Sequence, residues 1–231
     1  GTRRRTMAAE FDPKHHVVDN SVSVAQLDCT TAFAGLTPQE RLYAHYIGRA
    51  SWEGAKICLL QCSAESPAIF ALLQRLFAAQ SAAALGEAAA KAGVDADDVK
   101  AFVVYAAAFY SNCGNYRSFG DSKIIPGCSQ EAFTAIVKAS AAYAADAAAV
   151  DALLADVGDL IFDLSPRLRG LGLGADKGVS AYYSSNVTLE DAQLVQRFMD
   201  GRHLSAYNTR LFKDADGNFE LRQGGARGGG G

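Results

Sequence analysis

The chain has 231 residues, of which 49% are hydrophobic and 20% are charged, and its formal net charge is −3 at pH 7. This composition is typical of a globular protein with a buried core, and the net charge argues against general nucleic-acid binding. Since no apolar run approaches the roughly 20 residues that span a bilayer, we expect neither nucleic acid nor a membrane among its partners.

The first 22 residues have no helical or strand periodicity and are predicted to form a flexible arm. The basic residues Arg3 to Arg5 are not followed by an apolar stretch, so they do not form a secretory signal. Two explanations of them stay open, namely part of a transit peptide, or residues placed ahead of a translation start at Met7. The absence of a secretory signal leads us to expect a cytoplasmic protein.

The chain contains five cysteines, an odd number that argues against a disulfide framework and for reduced thiols. Cys58 and Cys62 are four residues apart, so a helix would place them on one face. A zinc site would need more ligands than this pair. Core thiols are the favoured interpretation, because free cysteine behaves as a small buried hydrophobe.

Helices are predicted to dominate residues 23–163. The first begins after Thr37, which can cap it, with Pro38 at the first helical position and Glu40 completing a capping box. An apolar stripe with helical spacing then leads toward Cys62. Its residues are Leu42, Tyr43, Tyr46, Ile47, Ala50, Ile57 and Leu60, together with Gln61.

Further helices follow at short intervals. A second begins at Ser66, an alanine-rich one occupies residues 82–91, and Gly93 ends it. Asp95 caps the next, and Ser129 caps another that is predicted to continue to about Ala145. Residues 150–162 give one more helix.

Residues 164–223 are predicted to form a mixed strand and helix region. A glycine-rich stretch precedes residues 179–184, which alternate like a short strand. Thr188 caps a helix that ends at Gly201, and strands over 207–213 and 219–222 form a hairpin. Residues 224–231 form a glycine-rich, flexible tail.

The segment between the Asp95 helix and the Ser129 helix is a loop in which aromatic rings alternate with amides, glycines and charges. Such a loop offers contact area and exposed backbone groups, which suits binding of a peptide or small molecule. The composition alone favours a simpler alternative, a helix-to-helix connection whose aromatic rings pack on the core.

Residues 110–121 read Tyr-Ser-Asn-Cys-Gly-Asn-Tyr-Arg-Ser-Phe-Gly-Asp. This run resembles Tyr-Ser-Asn-x-Gly-Asn-Tyr-Lys-Ser-Phe-Gly-Asp in the dipeptidyl peptidase III family of zinc exopeptidases. Further resemblances follow in the same order along the chain, at residues 36–44, 50–52, 71–77, 166–174 and 204–213. Together they extend from about residue 24 to residue 221, and they correspond to the N-terminal portion of the family.

The resemblance implies a zinc-dependent hydrolase, an aminopeptidase type that removes dipeptides from the N-termini of oligopeptide substrates, and we expect a monomer. It implies an α+β, predominantly helical fold that forms part of the lower, substrate-binding lobe. That lobe has a small β-barrel element, and the catalytic helical lobe is absent from this chain. The matched loop residues Ser118, Phe119 and Gly120 are the implied substrate-binding residues.

The zinc ligands of the family cannot be carried over. None of the histidines, His15, His16, His45 and His203, belongs to a His-Glu-x-x-x-His motif. A catalytic zinc needs about three protein ligands and a nearby base, so we expect this chain alone to bind no catalytic zinc and to be inactive. A non-catalytic interaction or scaffold module that keeps the lobe fold is the alternative function.

Overall fold

The computed structural model describes residues 11–23, 25, 27–173, 178–207 and 209–224. Over these residues the chain is mainly helical, with one two-stranded sheet. Short 3-10 helices lie at Pro13–His16 and Pro166–Leu168. The elements are α1 Thr30–Ala34, α2 Pro38–Cys62, α3 Ser66–Ala79, α4 Ala82–Lys91, α5 Ala96–Asn112, α6 Gln130–Lys138, α7 Ala141–Ala145, α8 Ala147–Phe162, α9 Leu189–Gly201, β1 Thr209–Lys213 and β2 Phe219–Gln223.

The helix starts predicted after Thr37, Asp95, Ser129 and Thr188 are confirmed, and each has a local side-chain cap. At α2 the Thr37 hydroxyl accepts a hydrogen bond from the backbone N–H of Glu40, and the Glu40 carboxylate accepts one from the Thr37 N–H. A second capping box starts α9 at Thr188. Asp95 and Ser129 cap α5 and α6 more simply, since the side chain of each accepts a hydrogen bond from a backbone N–H of the first turn.

The helix predicted from Ser129 to about Ala145 is interrupted, and that prediction is wrong. α6 ends at Lys138, and α7 begins after Ser140, whose backbone is extended and whose hydroxyl accepts a hydrogen bond from the Tyr143 N–H at 3.1 Å. Serine competes for helical hydrogen bonds by capping, so it starts a new helix here instead of continuing the first.

The main core is built from the inner faces of α3, α4, α5, α6 and α8. Large aromatic rings meet in it, and the centroids of Phe102 and Phe133 lie 4.9 Å apart. Its fully buried members include Ile69, Leu72, Leu73, Leu76, Leu85, Phe102, Phe109, Phe133, Ile136, Val137, Val150 and Ile161.

A second, smaller cluster lies between α9 and the β1–β2 hairpin. It contains Val187, Val195, Met199 and Leu211. The strands are antiparallel, with Leu211 opposite Leu221. An ion pair of 2.8 Å between Lys213 and Asp191 ties β1 to the first turn of α9.

The expectation of a small β-barrel element is wrong for the described residues. Over the described residues the sheet has only β1 and β2 and is not closed. The stretch 179–184, predicted as a strand, instead makes isolated bridges, from Val179 to Leu171 and from Tyr183 to Leu211. A single bridged pair on each side does not make a ladder, so this stretch is an extended connection.

Part of the segment predicted as a flexible arm is packed against the body of the protein. His16 is buried, and its Nδ1 lies 2.8 Å from the carbonyl oxygen of Lys123, which accepts the hydrogen bond. Val17 bridges to Ile125. The arm therefore contacts the segment that follows the loop after α5.

α2 differs from the other long helices because most of its length is uncovered. Its 25 residues extend for about 37 Å at 1.5 Å per residue, and Leu59 is its one buried residue. The predicted apolar stripe is present, but it faces away from the core.

Within the described residues, no single helix has the length and hydropathy expected of a membrane span. α3 and α4 meet those criteria only together, as a pair bent by 90°.

Candidate functional site

The loop that carries the strongest resemblance begins where α5 ends. Cys113 adopts a left-handed conformation with φ of 55°, and the next N–H, from Gly114, donates to the Phe109 carbonyl at 3.1 Å. This arrangement satisfies a carbonyl at the helix end and turns the chain sharply. α5 thus delivers the loop at a fixed angle.

Gly114 brings the loop directly against the end of α2. Its φ is 154°, and a Cβ at this position would lie within contact distance of the Cys62 Sγ. Only glycine allows both the conformation and the close approach. Burial by this contact raises the pKa of the Cys62 thiol, which favours its protonated form.

Asn115 anchors the base of the loop. The residue is fully buried, and its Oδ1 accepts hydrogen bonds from the hydroxyls of Ser63 and Ser66 at 2.8 and 3.0 Å. Its Nδ2 donates to the Glu65 carboxylate at 2.8 Å. A buried amide with every group paired holds the loop in one position on the α2–α3 junction.

Beyond the anchor the chain folds back on itself as a short hairpin. Tyr116 bridges to Lys123, and the Arg117 N–H donates to the Ser122 carbonyl at 2.9 Å. Tyr116 is buried, and its hydroxyl donates to the carbonyl of Leu168 at 2.9 Å. This tyrosine fits the simpler alternative of the sequence analysis, since its ring packs inside the protein.

Lys123 closes the base of the hairpin from inside the protein. It is fully buried, and its Nζ donates to the carbonyls of Leu160 and Asp163 at 2.6 and 2.9 Å. These carbonyls lie at the C-terminal end of α8, where a positive charge is favourable. Burial lowers the pKa of the amine below its usual value.

The tip of the hairpin holds the predicted substrate-binding residues Ser118, Phe119 and Gly120. The Ser118 N–H donates to the Asn112 Oδ1 at 2.8 Å, which ties the tip to the last residue of α5. Gly120 and Asp121 both have positive φ, 97° and 57°, as a tight reversal requires. The structure places all three predicted residues side by side.

Phe119 stands out from the surface, with 95% of its side chain exposed. Its ring contacts neither hydrophobic cluster. An exposed ring on a tip whose backbone is hydrogen-bonded on both sides is an arrangement that contacts another molecule at low entropic cost. Its assignment to substrate, with those of Ser118 and Gly120, stays a prediction.

A groove lies beside the tip, between the C-terminal end of α2 and the segment that follows residue 170. It encloses about 480 Å³, and its lining includes Gln61, Asp121, Leu171, Tyr182 and Leu189. The Leu171 N–H donates to the Asp121 carbonyl at 2.8 Å, so the tip forms one wall. Extended backbone and an aromatic ring suit a peptide chain.

Sequence reasoning missed the residues that hold the loop, above all Asn112, Asn115 and Lys123. The motif contains both asparagines, and an amide beside a glycine is a signal for backbone contact. The partners of Asn115 and Lys123, namely Ser63, Glu65 and Leu160, lie 37 to 52 residues away in sequence. Such long-range pairs cannot be read from local spacing.

The described residues do not fit a zinc site. No group of three or more His, Cys, Asp or Glu side chains within them is placed to hold a metal. His16 is buried against the Lys123 carbonyl, while His45 on α2 and His203 after α9 are exposed. The prediction that this chain alone binds no catalytic zinc is left to experiment.

Comparison with known proteins locates the chain among peptidases. Residues 153–227 match Peptidase family M49. The dipeptidyl peptidase 3 of Nematostella vectensis is 46% identical over 208 residues, which cover 89% of this chain and 28% of that protein. Human dipeptidyl peptidase 3 is 46% identical over 211 residues, or 90% of this chain and 28% of the relative.

A more distant relative gives the same result. The dipeptidyl peptidase 3 of Dictyostelium discoideum is 39% identical over 90% of this chain. The chain spans 27 to 29% of the length of the curated relatives it matches. The resemblance of residues 110–121 is therefore part of a similarity along nearly the whole chain, and the chain belongs to the dipeptidyl peptidase III family, peptidase family M49.

Proposed function

We propose that this chain is part of a zinc-dependent dipeptidyl peptidase, a hydrolase that releases dipeptides from the N-termini of oligopeptides. The observation that carries the proposal is the 46% identity to human dipeptidyl peptidase 3 over 90% of the chain. Identity at this level along nearly the whole of this chain supports the same reaction class for the protein to which it belongs. The described residues do not fit a zinc site, so we assign metal binding and water activation to polypeptide outside this stretch.

The role proposed for this chain is to bind the peptide, as part of the lower lobe of the family. The Phe119 ring offers an apolar surface to a substrate side chain, and Ser118 and Gly120 leave room around it. The base of the loop supports this role, because Asn115 and Asn112 fix the backbone on which the ring stands. A backbone held in advance loses little entropy when the peptide binds.

A chimera tests the proposal. In human dipeptidyl peptidase 3, the matched stretch of 211 residues is replaced by this chain, and release of dipeptides from an oligopeptide is measured with and without a chelator. We expect chelator-sensitive release from the chimera and none from the isolated chain. A folded chimera without activity would favour the non-catalytic module.

We also propose that the protein works in the cytoplasm as a monomer. The support is the odd number of cysteines, which suits a reducing compartment. Fluorescence of the tagged full-length protein in cells tests the compartment, and sedimentation of the same protein tests the oligomeric state. A secreted or dimeric protein would contradict these two points without touching the proposed reaction.

A further inference from the structure

α2 carries a continuous apolar surface that no part of the described chain covers. At about 100° per residue, six large apolar residues fall within a sector of roughly 140° on one side of the helix. We call this sector the outer face of α2. Its residues, each between 53 and 71% exposed, are Leu42, Tyr43, Tyr46, Ile47, Ile57 and Leu60.

The outer face is lower in the middle than at its two ends. Large residues stand at both ends, and between them the face carries only Ala50 and Gly54 as apolar positions, with Glu53 at its edge. A Cβ placed on Gly54 would meet no atom within 4 Å. Small residues between large ones allow a second helix to cross closely, with its side chains between those of the first.

The opposite side of α2 buries too few side chains to account for the stability of the helix. Leu59 is buried near its C-terminal end, but no residue from Pro38 to Cys58 is buried. Gly48, on that opposite side, likewise has open space around an added Cβ. Most helices in proteins owe their stability to packing of an apolar face rather than to propensity. The outer face is the larger apolar face of this part of α2, because Trp52 is the one large apolar residue on the opposite side.

We propose that the outer face of α2 is an interface for a helix from the polypeptide that the relatives carry outside the matched stretch. The relatives are longer by a factor of more than three, since the chain spans 27 to 29% of their length. Residues 36–44, which lead into α2, and residues 50–52 within it are among those that carry the family resemblance. Contiguous apolar patches of this kind mark protein interfaces. The crossing helix approaches α2 most closely at Gly54.

A pair of glycine substitutions tests the interface, with the thermal midpoint Tm as the readout. In the isolated chain, Gly54→Leu should raise Tm by a few degrees, because the site is open and leucine favours the helix. In the chimera described above, the same substitution should lower Tm by several degrees, because leucine obstructs the crossing helix. Gly48→Leu is the matched control and should raise Tm in both proteins.

Cysteine labelling gives a second measurement that needs no substitution. Cys58 is exposed at the edge of the outer face, next to Ile57. Its alkylation should be at least about tenfold slower in the native chimera than in the isolated chain, with the denatured proteins as references. These readouts do not depend on peptidase activity, so the interface and the proposed function can fail separately.

Three results would overturn the proposal. The first is an equal change of Tm on Gly54→Leu in the two proteins. The second is alkylation of Cys58 at the same rate in the folded chimera and in the isolated chain. The third is an isolated chain that forms a dimer which Ile57→Asp dissociates, since the occupant would then be a second copy. A chain that is monomeric and gives the reversal of sign at Gly54 supports it.

Discussion

The base and the tip of the loop after α5 are four residues apart and opposite in character. Asn115 at the base is fully buried with all its side-chain groups paired, whereas Phe119 at the tip is 95% exposed. A polar side chain is thus inside and an aromatic ring outside. This inversion shows that the base is built for rigidity, and it leaves the ring available for contact with another molecule.

Phe102→Ala should cause the largest loss of stability, because Phe102 lies in the main core beside Phe133. Removing a fully buried ring should lower the free energy of unfolding by about 3–5 kcal/mol. Urea unfolding of the isolated chain measures it. A loss below 1 kcal/mol would mean that the core is not packed as described.

Asn115→Ala tests the base of the loop. The substitution removes the acceptor of two serine hydroxyls and the donor to the Glu65 carboxylate. Unpaired buried groups should cost about 2–4 kcal/mol of unfolding free energy. Gln39→Ala, at an exposed amide side chain on α2, is the control and should change it by less than about 0.5 kcal/mol. Equal losses at the two sites would refute the anchor role.

Asn112→Ala tests the link between α5 and the tip. The Asn112 amide oxygen accepts the Ser118 N–H at 2.8 Å in a half-buried position. Its loss should cost about 1 kcal/mol and expose the Ser118 amide to solvent. Hydrogen exchange at Ser118 should therefore accelerate while exchange in α5 stays slow. An unchanged rate at Ser118 would show that the tip does not depend on Asn112.

Phe119→Ala should have the smallest effect on stability, under about 1 kcal/mol, because little of the ring leaves water on folding. In the active chimera, it should instead raise KM by roughly tenfold, because an apolar contact with the peptide is lost, and a tenfold change corresponds to about 1.4 kcal/mol. Stability losses equal to those of Phe102→Ala, with KM unchanged, would make Phe119 a structural residue.

The last prediction concerns the redox state and the reactivity of the five cysteine thiols. Alkylation of the denatured chain without reductant should yield five adducts, counted by mass. In the folded chain Cys128 should react slowest, because burial raises the pKa of its thiol to about 11 and leaves little thiolate at neutral pH. Fewer than five adducts would contradict the reducing compartment.

The sequence predicted those parts of the fold that depend on neighbouring residues. Thr37 and Thr188 start helices because their hydroxyls bond backbone groups only three residues away. The break at Ser140 escaped prediction, because alanines on both sides favour helix equally and the capping conformation depends on burial. The barrel expectation failed because it came from the resemblance, while the described residues supply two strands.

The candidate site was predictable only in part, because burial in the loop depends on residues that are distant in sequence. The resemblance singled out Ser118, Phe119 and Gly120, and the structure brings them to one exposed tip. The same sequence run contains Tyr116 and Asn115, which are buried. Composition cannot separate the exposed members of this run from the buried ones. Their burial is decided by partners on α3 and beyond α8, far away along the chain.

Lys123 has a consequence for chemical labelling. Its amine is enclosed in the protein and is occupied by the carbonyls at the end of α8. An acylating reagent therefore reaches it only when α8 separates from the loop hairpin, whereas exposed lysines such as Lys56 react in the folded state. The rate at which Lys123 is acylated, measured by mass spectrometry, therefore reports how often this part of the core opens.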